Sequence, residues 1–145
     1  MQYRINSCNF SIKEFIREIA VNEFGIDYWN EWLEEQDYNI LKMTPNLLIS
    51  VEENNRLIGI CSIKKIDDER CYLNSFYVKK EFRNKGIGNK LFDMCLKYAK
   101  NNNYKKVLLS VDPNFKQAIE IYQKKNFIFD YFDEERQELW YYKNI

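Results

Sequence analysis

Apolar positions recur at two different spacings along the chain, and each change of spacing marks a change of element. Gln2 to Ile5 reads as a short edge strand. Ser11 stands three residues before Glu14, a capping box, with Phe10 and Phe15 at the staple positions around it. Ile12, Phe15, Ile16 and Ile19 then fall on one helical face, so a helix is expected to about Phe24, where Gly25 ends it. A shorter second helix, capped by Asp27, carries Tyr28, Trp29, Trp32 and Leu33. These aromatics either pack a core or line an acceptor pocket.

After Pro45, the runs Asn46 to Val51 and Leu57 to Ile63 flank the turn cluster Glu52-Glu53-Asn54-Asn55, which predicts a β-hairpin. Gly59 inside the second run marks a bulge or a close backbone approach. Asp67-Asp68-Glu69 turns the chain into a third strand, Cys71 to Val78. A basic, glycine-bearing stretch follows, and then a helix to about Lys100 with Ile87, Leu91, Met94 and Tyr98 on one face. Asn101-Asn102-Asn103 breaks it. Val107 to Val111 is the next strand, and the helix between predicts a right-handed crossover and parallel pairing with Cys71 to Val78.

Asn114 is placed to cap a fourth helix, with Gln117 at the answering position and Phe115, Ala118, Ile119 and Tyr122 on the inner face. Asn126 suits the left-handed position after its end. Phe127 to Tyr131 and Leu139 to Tyr142 form a closing antiparallel pair around Asp133-Glu134-Glu135. The whole predicts an α/β (α+β) chain, a mixed central sheet of about six to seven strands with four helices, in one domain over residues 1–145.

Composition narrows the chemistry. The 145 residues are 46% hydrophobic and 17% aromatic, enough for one packed core and too apolar for disorder. There is no histidine. Ser-His-Asp and Cys-His nucleophiles and His-based metal sites are therefore excluded, and no metal is expected. Cys8, Cys61, Cys71 and Cys95 are widely spaced with no CxxC pair, as in reduced core thiols. The first ten residues hold no apolar signal-peptide core and no stretch is long enough to span a membrane, so the expected location is cytoplasmic.

Formal net charge is zero, which argues against nucleic acid as a partner. The halves differ, however: residues 1–70 carry 8 Lys/Arg against 13 Asp/Glu, and residues 71–145 carry 14 against 9. An anionic cofactor on the second half and a cationic partner drawn to the first would fit that division; so would chance scatter of solvated charge.

The stretch Asn74 to Leu91 concentrates the candidate chemistry. Its glycines, Gly86 and Gly88, let main-chain amides approach a ligand at the start of a helix, where N–H groups lack partners and the dipole favours an anion. A phosphate or pyrophosphate is the natural guest. Arg83, Lys85 and Lys90, with Lys79 and Lys80 upstream, add side-chain charge. It is neither a Walker loop, since Asn89 follows Gly88, nor a dinucleotide fingerprint, since Leu91 stands where a third small residue is required.

From residue 2 to 143 the order of elements resembles the GNAT superfamily of acyl-CoA-dependent N-acetyltransferases. Two motifs carry the resemblance: Arg83-x-x-Gly86-x-Gly88 after Phe76-Tyr77-Val78, and Asn114-x-x-x-Ala118-x-x-x-Tyr122-x-x-x-Asn126-Phe127. It implies that Arg83, Asn84, Lys85, Gly86, Ile87 and Gly88 bind the pyrophosphate of acetyl-CoA. It also implies that Phe76, Tyr77 and Val78 hold the pantetheine arm like an added strand, with Asn114 bonding the same arm.

In that reading the Val78 amide stabilises the thioester oxygen as charge develops, and Tyr122 donates toward the leaving sulfur. Trp29 and Asn74 would face the acceptor, an amine. Three departures stand out. Asn84 and Asn126 replace glycines usual in relatives, and Asn74 lies where a catalytic glutamate often lies. An amide cannot take up a proton. A water chain to Glu52, Glu53 or Asp67 could do so, or the fraction of amine already neutral suffices. The expected function is acetyl transfer from acetyl-CoA to a primary amine of a small molecule or protein N-terminus, by a monomer or homodimer. The alternatives are a non-catalytic acyl-CoA sensor and an interaction domain without cofactor.

Overall fold

The computed structural model describes residues 1–8, 10–35 and 47–145, the side chains of 32–35 excepted. Those of Trp32 and Leu33, and the expected strand start at Asn46, therefore lie outside the described residues. In chain order the elements are β1 (Gln2–Ile5), α1 (Ile12–Phe24), α2 (Ile26–Glu35), β2 (Leu47–Glu53), β3 (Arg56–Lys65) and β4 (Arg70–Val78). A 3-10 turn (Lys80–Phe82) precedes α3 (Ile87–Asn101), β5 (Lys106–Val111), α4 (Lys116–Lys124), β6 (Ile128–Asp133) and β7 (Glu138–Asn144). The seven strands form one sheet in the order β1-β2-β3-β4-β5-β7-β6. β4 and β5 are parallel, as the intervening helix requires, and every other neighbouring pair is antiparallel.

Local chemistry explains most element ends. Ser11 Oγ accepts from the Glu14 N–H at 3.2 Å, which starts α1. Gly25, at φ 90°, ends it with its N–H on Val21 O, and its own carbonyl accepts from Trp29, so α2 begins at once. Asp27 is consequently not a cap but a first-turn residue of α2, where its carboxylate faces the positive helix end. The end of α4 is a Schellman turn. Asn126 takes φ 66°, its N–H bonds Gln123 O, the Phe127 N–H bonds Tyr122 O at 3.0 Å, and the two rings pack at 6.3 Å.

The start of α4 corrects the sequence reading. Asp112 Oδ1 accepts from the Asn114 N–H at 2.8 Å, and Asn114 O accepts from Lys116 N–H. The chain thus completes a separate Asx turn before the helix opens at Lys116, with Phe115 rather than Asn114 in the cap position and no side-chain cap bond.

Helices cover both faces. On one, Leu91, Phe92, Cys95 and Ala99 of α3 and Tyr122 of α4 join Ile49, Val51, Cys61, Leu73 and Leu109 of the sheet in the larger core. On the other, Phe15, Ile16 and Ile19 of α1 and Trp29 of α2 pack on Leu57 and Ile60. Cys61, Cys71 and Cys95 are buried free thiols, and Cys8 is half-buried.

Gly59 is a close-approach glycine: a Cβ there would sit 3.0 Å from Leu91 Cδ1 and 3.2 Å from both Tyr77 O and Val51 Cγ1. Gly59→Ala is therefore expected to cost about 1–3 kcal/mol by overpacking. Urea unfolding should show a lower midpoint at unchanged slope, and an unmoved midpoint would contradict this packing.

Candidate active site

Why the sheet opens beside β4 follows from one inserted residue. Tyr77 pairs with Ile60 and Asn74 with Ser62, so Ser75 and Phe76 together oppose Cys61. This is a bulge, with Ser75 at φ 53°. Its anchors are local: Asn74 Oδ1 accepts from the Ser75 N–H at 2.9 Å, and Ser62 Oγ donates to Asn74 O at 2.7 Å. The extra residue reverses the alternation, returning Phe76 and Val78 to the face of Leu73 and leaving Tyr77 on the α1/α2 face.

β4 and β5 remain paired only at Arg70–Lys106, Cys71–Val107 and Tyr72–Leu108. Beyond those rungs they enclose a cleft of about 850 Å³. Main-chain groups point into it. Lys79 N–H bonds Ile58 O at 2.9 Å, so the adjacent pair Val78–Gly59 is a non-bonded rung, with the Val78 N–H and carbonyl turned toward the open side.

At one end of the cleft lies the glycine turn. Asn84 (φ 62°) and Gly86 (φ 82°) are both left-handed, and Asn84 holds without a glycine the conformation that asparagine tolerates best among side-chain-bearing residues. Lys90 is the first residue of α3 to bond back, to Gly86 O at 3.1 Å, so the N–H groups of Ile87, Gly88 and Asn89 have no intrahelical acceptor. A Cβ at Gly86 would meet nothing within 4 Å, while one at Gly88 would press on Phe76 Cζ at 3.3 Å. The result is an uncapped helix start with bare backbone beside the cleft, a fit for a diphosphate.

The basic side chains are placed differently from the expectation that they add charge there. Arg83 Nε donates to Val78 O at 2.9 Å and its guanidinium is ion-paired with Glu23 of α1, so it braces the turn against β4 and α1. Lys79 pairs with Glu18, Lys85 lies over the Phe82 ring and Lys90 over the Tyr3 ring. The lysines that do line the cleft are Lys116 and Lys124 of α4. They sit eight positions apart, close to two helical turns, a spacing that could have signalled a shared face.

Of the other singled-out residues, Asn74, Phe76, Tyr77, Val78, Asn114 and Tyr122 line the same cleft. Ile87 is 4% exposed in the core, which leaves only its main chain for a ligand. Lys85 is exposed and lies outside the lining. Trp29, 2% exposed, is core rather than cleft; its neighbour Tyr28 lines the cleft instead. Glu52 is bound to Arg4 and Asp67 to Arg70, and neither they nor Glu53 reach the cleft. Its carboxylates are Glu23, Glu31, Asp112, Glu120 and Glu138.

Tyr122 is 5% exposed, walled by the rings of Phe76, Phe92, Phe127 and Tyr141. Burial pushes its phenol well above the ordinary value. It is therefore a hydrogen-bond donor at any physiological pH and never a base. Burial does the same to Tyr77, and burial with the Asp112 charge to Tyr28.

These three shifts have a stability consequence. Unfolded phenols ionise near pH 10 whereas the folded ones stay protonated, so stability is complete below about pH 10 and falls as pH rises beyond it. Thermal melts from about pH 9 to about pH 11 should show Tm dropping, less so in Tyr28→Phe. A flat Tm would contradict the burial.

The seven-stranded mixed sheet with its splayed parallel pair is the GNAT acyl-CoA N-acyltransferase fold. The sequence model of the Acetyltransferase (GNAT) family matches residues 13–127, and the chain belongs to that family. Among solved structures it is similar to an acetyltransferase from Streptococcus agalactiae 2603, with 19% identity, TM-score 0.77, and coverage of 99% of this chain and 98% of that one. It is also similar to the paia N-acetyltransferase from Thermoplasma acidophilum in complex with coenzyme A, with 19% identity, TM-score 0.73 and all of both chains covered.

A GNAT family acetyltransferase from Elizabethkingia anophelis with acetyl-CoA bound is 16% identical at TM-score 0.68, over 99% of this chain and 97% of that one. Likenesses at these identities show the fold. Among proteins of curated function none matches the sequence significantly. Among the described residues no helix is long and apolar enough to cross a membrane.

Proposed function

We propose that the chain transfers an acetyl group from acetyl-CoA to a primary amine. The observation that carries this reading is the bulge at Ser75, because it opens one cleft onto the glycine turn, the outward main chain of Val78 and the buried phenol of Tyr122. When bound, acetyl-CoA supplies an acetyl thioester, an electrophile for a neutral amine.

The amides of Ile87, Gly88 and Asn89 hold the diphosphate end, with Lys116 and Lys124 adding positive charge. Main-chain groups of Phe76 and Val78 take the extended arm as a partner strand, and Asn114 bonds it from the opposite wall. The Val78 N–H donates to the carbonyl oxygen as it gains charge, since the Val78 carbonyl is already occupied by Arg83. Tyr122 donates to the departing sulfur. Its raised pKa makes full proton transfer uphill, so its work is hydrogen bonding to developing charge.

Asn74 takes no proton, its amide oxygen being committed to the bulge. The amine's proton passes to solvent, since Glu52, Glu53 and Asp67 do not reach the cleft. The test is free-thiol release from acetyl-CoA across a panel of amines and N-terminal peptides, with mass spectrometry of the products. Amine-dependent release with an acetylated amine is the expected result. Tight acetyl-CoA binding without any acetylated product would instead favour the sensor reading.

A further inference from the structure

On the α1/α2 side the cleft changes character. Its lining there is aromatic and acidic, with Phe24 and Tyr28 from the helices, Tyr72 and Tyr77 from β4, and Asp112 and Glu138 from the ends of β5 and β7. The strand register explains why the two carboxylates meet. Ser110 pairs with Trp140 and Val111 with Leu139, so the next step sets Asp112 opposite Glu138. Two carboxylates at neighbouring strand ends concentrate negative charge in one part of the cleft, which favours a cationic guest there.

We propose that the acceptor is an amine with a second positive charge, a diamine or polyamine, whose far cationic centre sits beside Asp112 and Glu138 among the Tyr28, Tyr72 and Tyr77 rings. This rests on the reading of the cleft as an amine acetyltransferase site and names its substrate class.

Three further observations support it. The charges of Asp112 and Glu138 both reach the phenols of Tyr28 and Tyr77, so the carboxylates and rings face one enclosure. The rings are held in place: Tyr28 donates to Asp112 Oδ2 at 3.3 Å, closing α2 onto the end of β5, and Tyr72 shares a 2.5 Å hydrogen bond with Ser110 across the divergence of β4 and β5. Fixed aromatic faces attract a cation, most strongly where water is excluded.

The cleft lining as a whole carries five carboxylates against four cations, of which Arg83 is already paired with Glu23.

Initial rates with acetyl-CoA and four probes decide the matter: diaminobutane, spermidine, butylamine as the chain-matched monoamine, and γ-aminobutyrate as its anionic counterpart. With about tenfold from each carboxylate, kcat/KM for the diamine and spermidine should exceed that for butylamine by about 100-fold, and γ-aminobutyrate should be poorer still. Asp112→Asn and Glu138→Gln should each raise KM for the diamine about tenfold and hold kcat within about threefold.

Equal use of butylamine, or a preference for γ-aminobutyrate, would overturn the proposal. If no amine is acetylated, calorimetry of spermidine into the CoA-loaded protein still decides. Binding weakened about tenfold by Glu138→Gln keeps the cation site while the transfer reading falls, and no binding removes the cation site.

Discussion

Replacing Tyr122 with phenylalanine is expected to lower kcat about 100-fold, the lower range for loss of a positioned proton-donating group, while Kd for acetyl-CoA stays within about threefold. The separation follows from where the ring and the hydroxyl stand. The ring packs against Phe76, Phe92, Phe127 and Tyr141, all contacts that phenylalanine keeps. Only the hydroxyl is lost, and the proposed transfer uses it where charge appears on sulfur.

Because burial holds the phenol protonated, wild-type kcat/KM should rise with pH as more of the amine becomes neutral, without an alkaline fall from Tyr122 up to about pH 10. Stopped-assay rates at saturating acetyl-CoA, paired with calorimetry, check both parts. Unchanged turnover in the variant would remove Tyr122 from the chemistry.

Gly86→Val is expected to act on binding instead, weakening acetyl-CoA by about 10- to 100-fold. Gly86 has φ 82° and ψ 0°, and a side chain there would meet no neighbour within 4 Å. Crowding is therefore not the issue. A β-branched residue disfavours the left-handed conformation by about 1–2 kcal/mol, and with no packing to hold it the turn relaxes to right-handed angles.

The N–H groups of Ile87 and Gly88 then point elsewhere, and each charge-assisted bond lost is worth about 1.5–3 kcal/mol. Tm should fall by only a few degrees, since the turn is exposed. Asn84→Gly is the matched control, expected to leave Kd within about twofold because glycine adopts the same angles freely. Wild-type affinity in Gly86→Val would mean that these amides do not carry the diphosphate.

How much of this the chain announces depends on the range of the interactions involved. The capping box at Ser11, the stop at Gly25 and the left-handed Asn126 are settled within a few residues, and each stands where its local pattern places it. Parallel pairing of β4 and β5 was equally legible, because a helix of α3's length between two strands leaves little other choice.

Where two side chains compete for one turn, reading by motif fails. Asp112 captured the Asn114 N–H and moved the start of α4 one residue along. The bulge at Ser75 contains no glycine to mark it. Its one trace is a slipped alternation, Cys71 and Leu73 giving way to Phe76 and Val78 on the same face.

Long-range partners leave no local trace at all. Arg83 looks like a phosphate ligand among its sequence neighbours, but Glu23 arrives from α1, and the guanidinium becomes a brace. Asp112 and Glu138 become neighbours only through the β5–β7 register. Nothing in either segment alone distinguishes them from solvated charges.

Backbone amide chemical shifts recorded during titration with CoA, and separately with pantetheine, test the cleft assignment most directly. CoA should shift the amides of Asn84 to Gly88 together with those of Phe76 and Val78, whereas pantetheine, which has no diphosphate, should shift Phe76 and Val78 alone. Perturbations confined to other parts of the sheet, or an unmoved glycine turn with CoA bound, would contradict it.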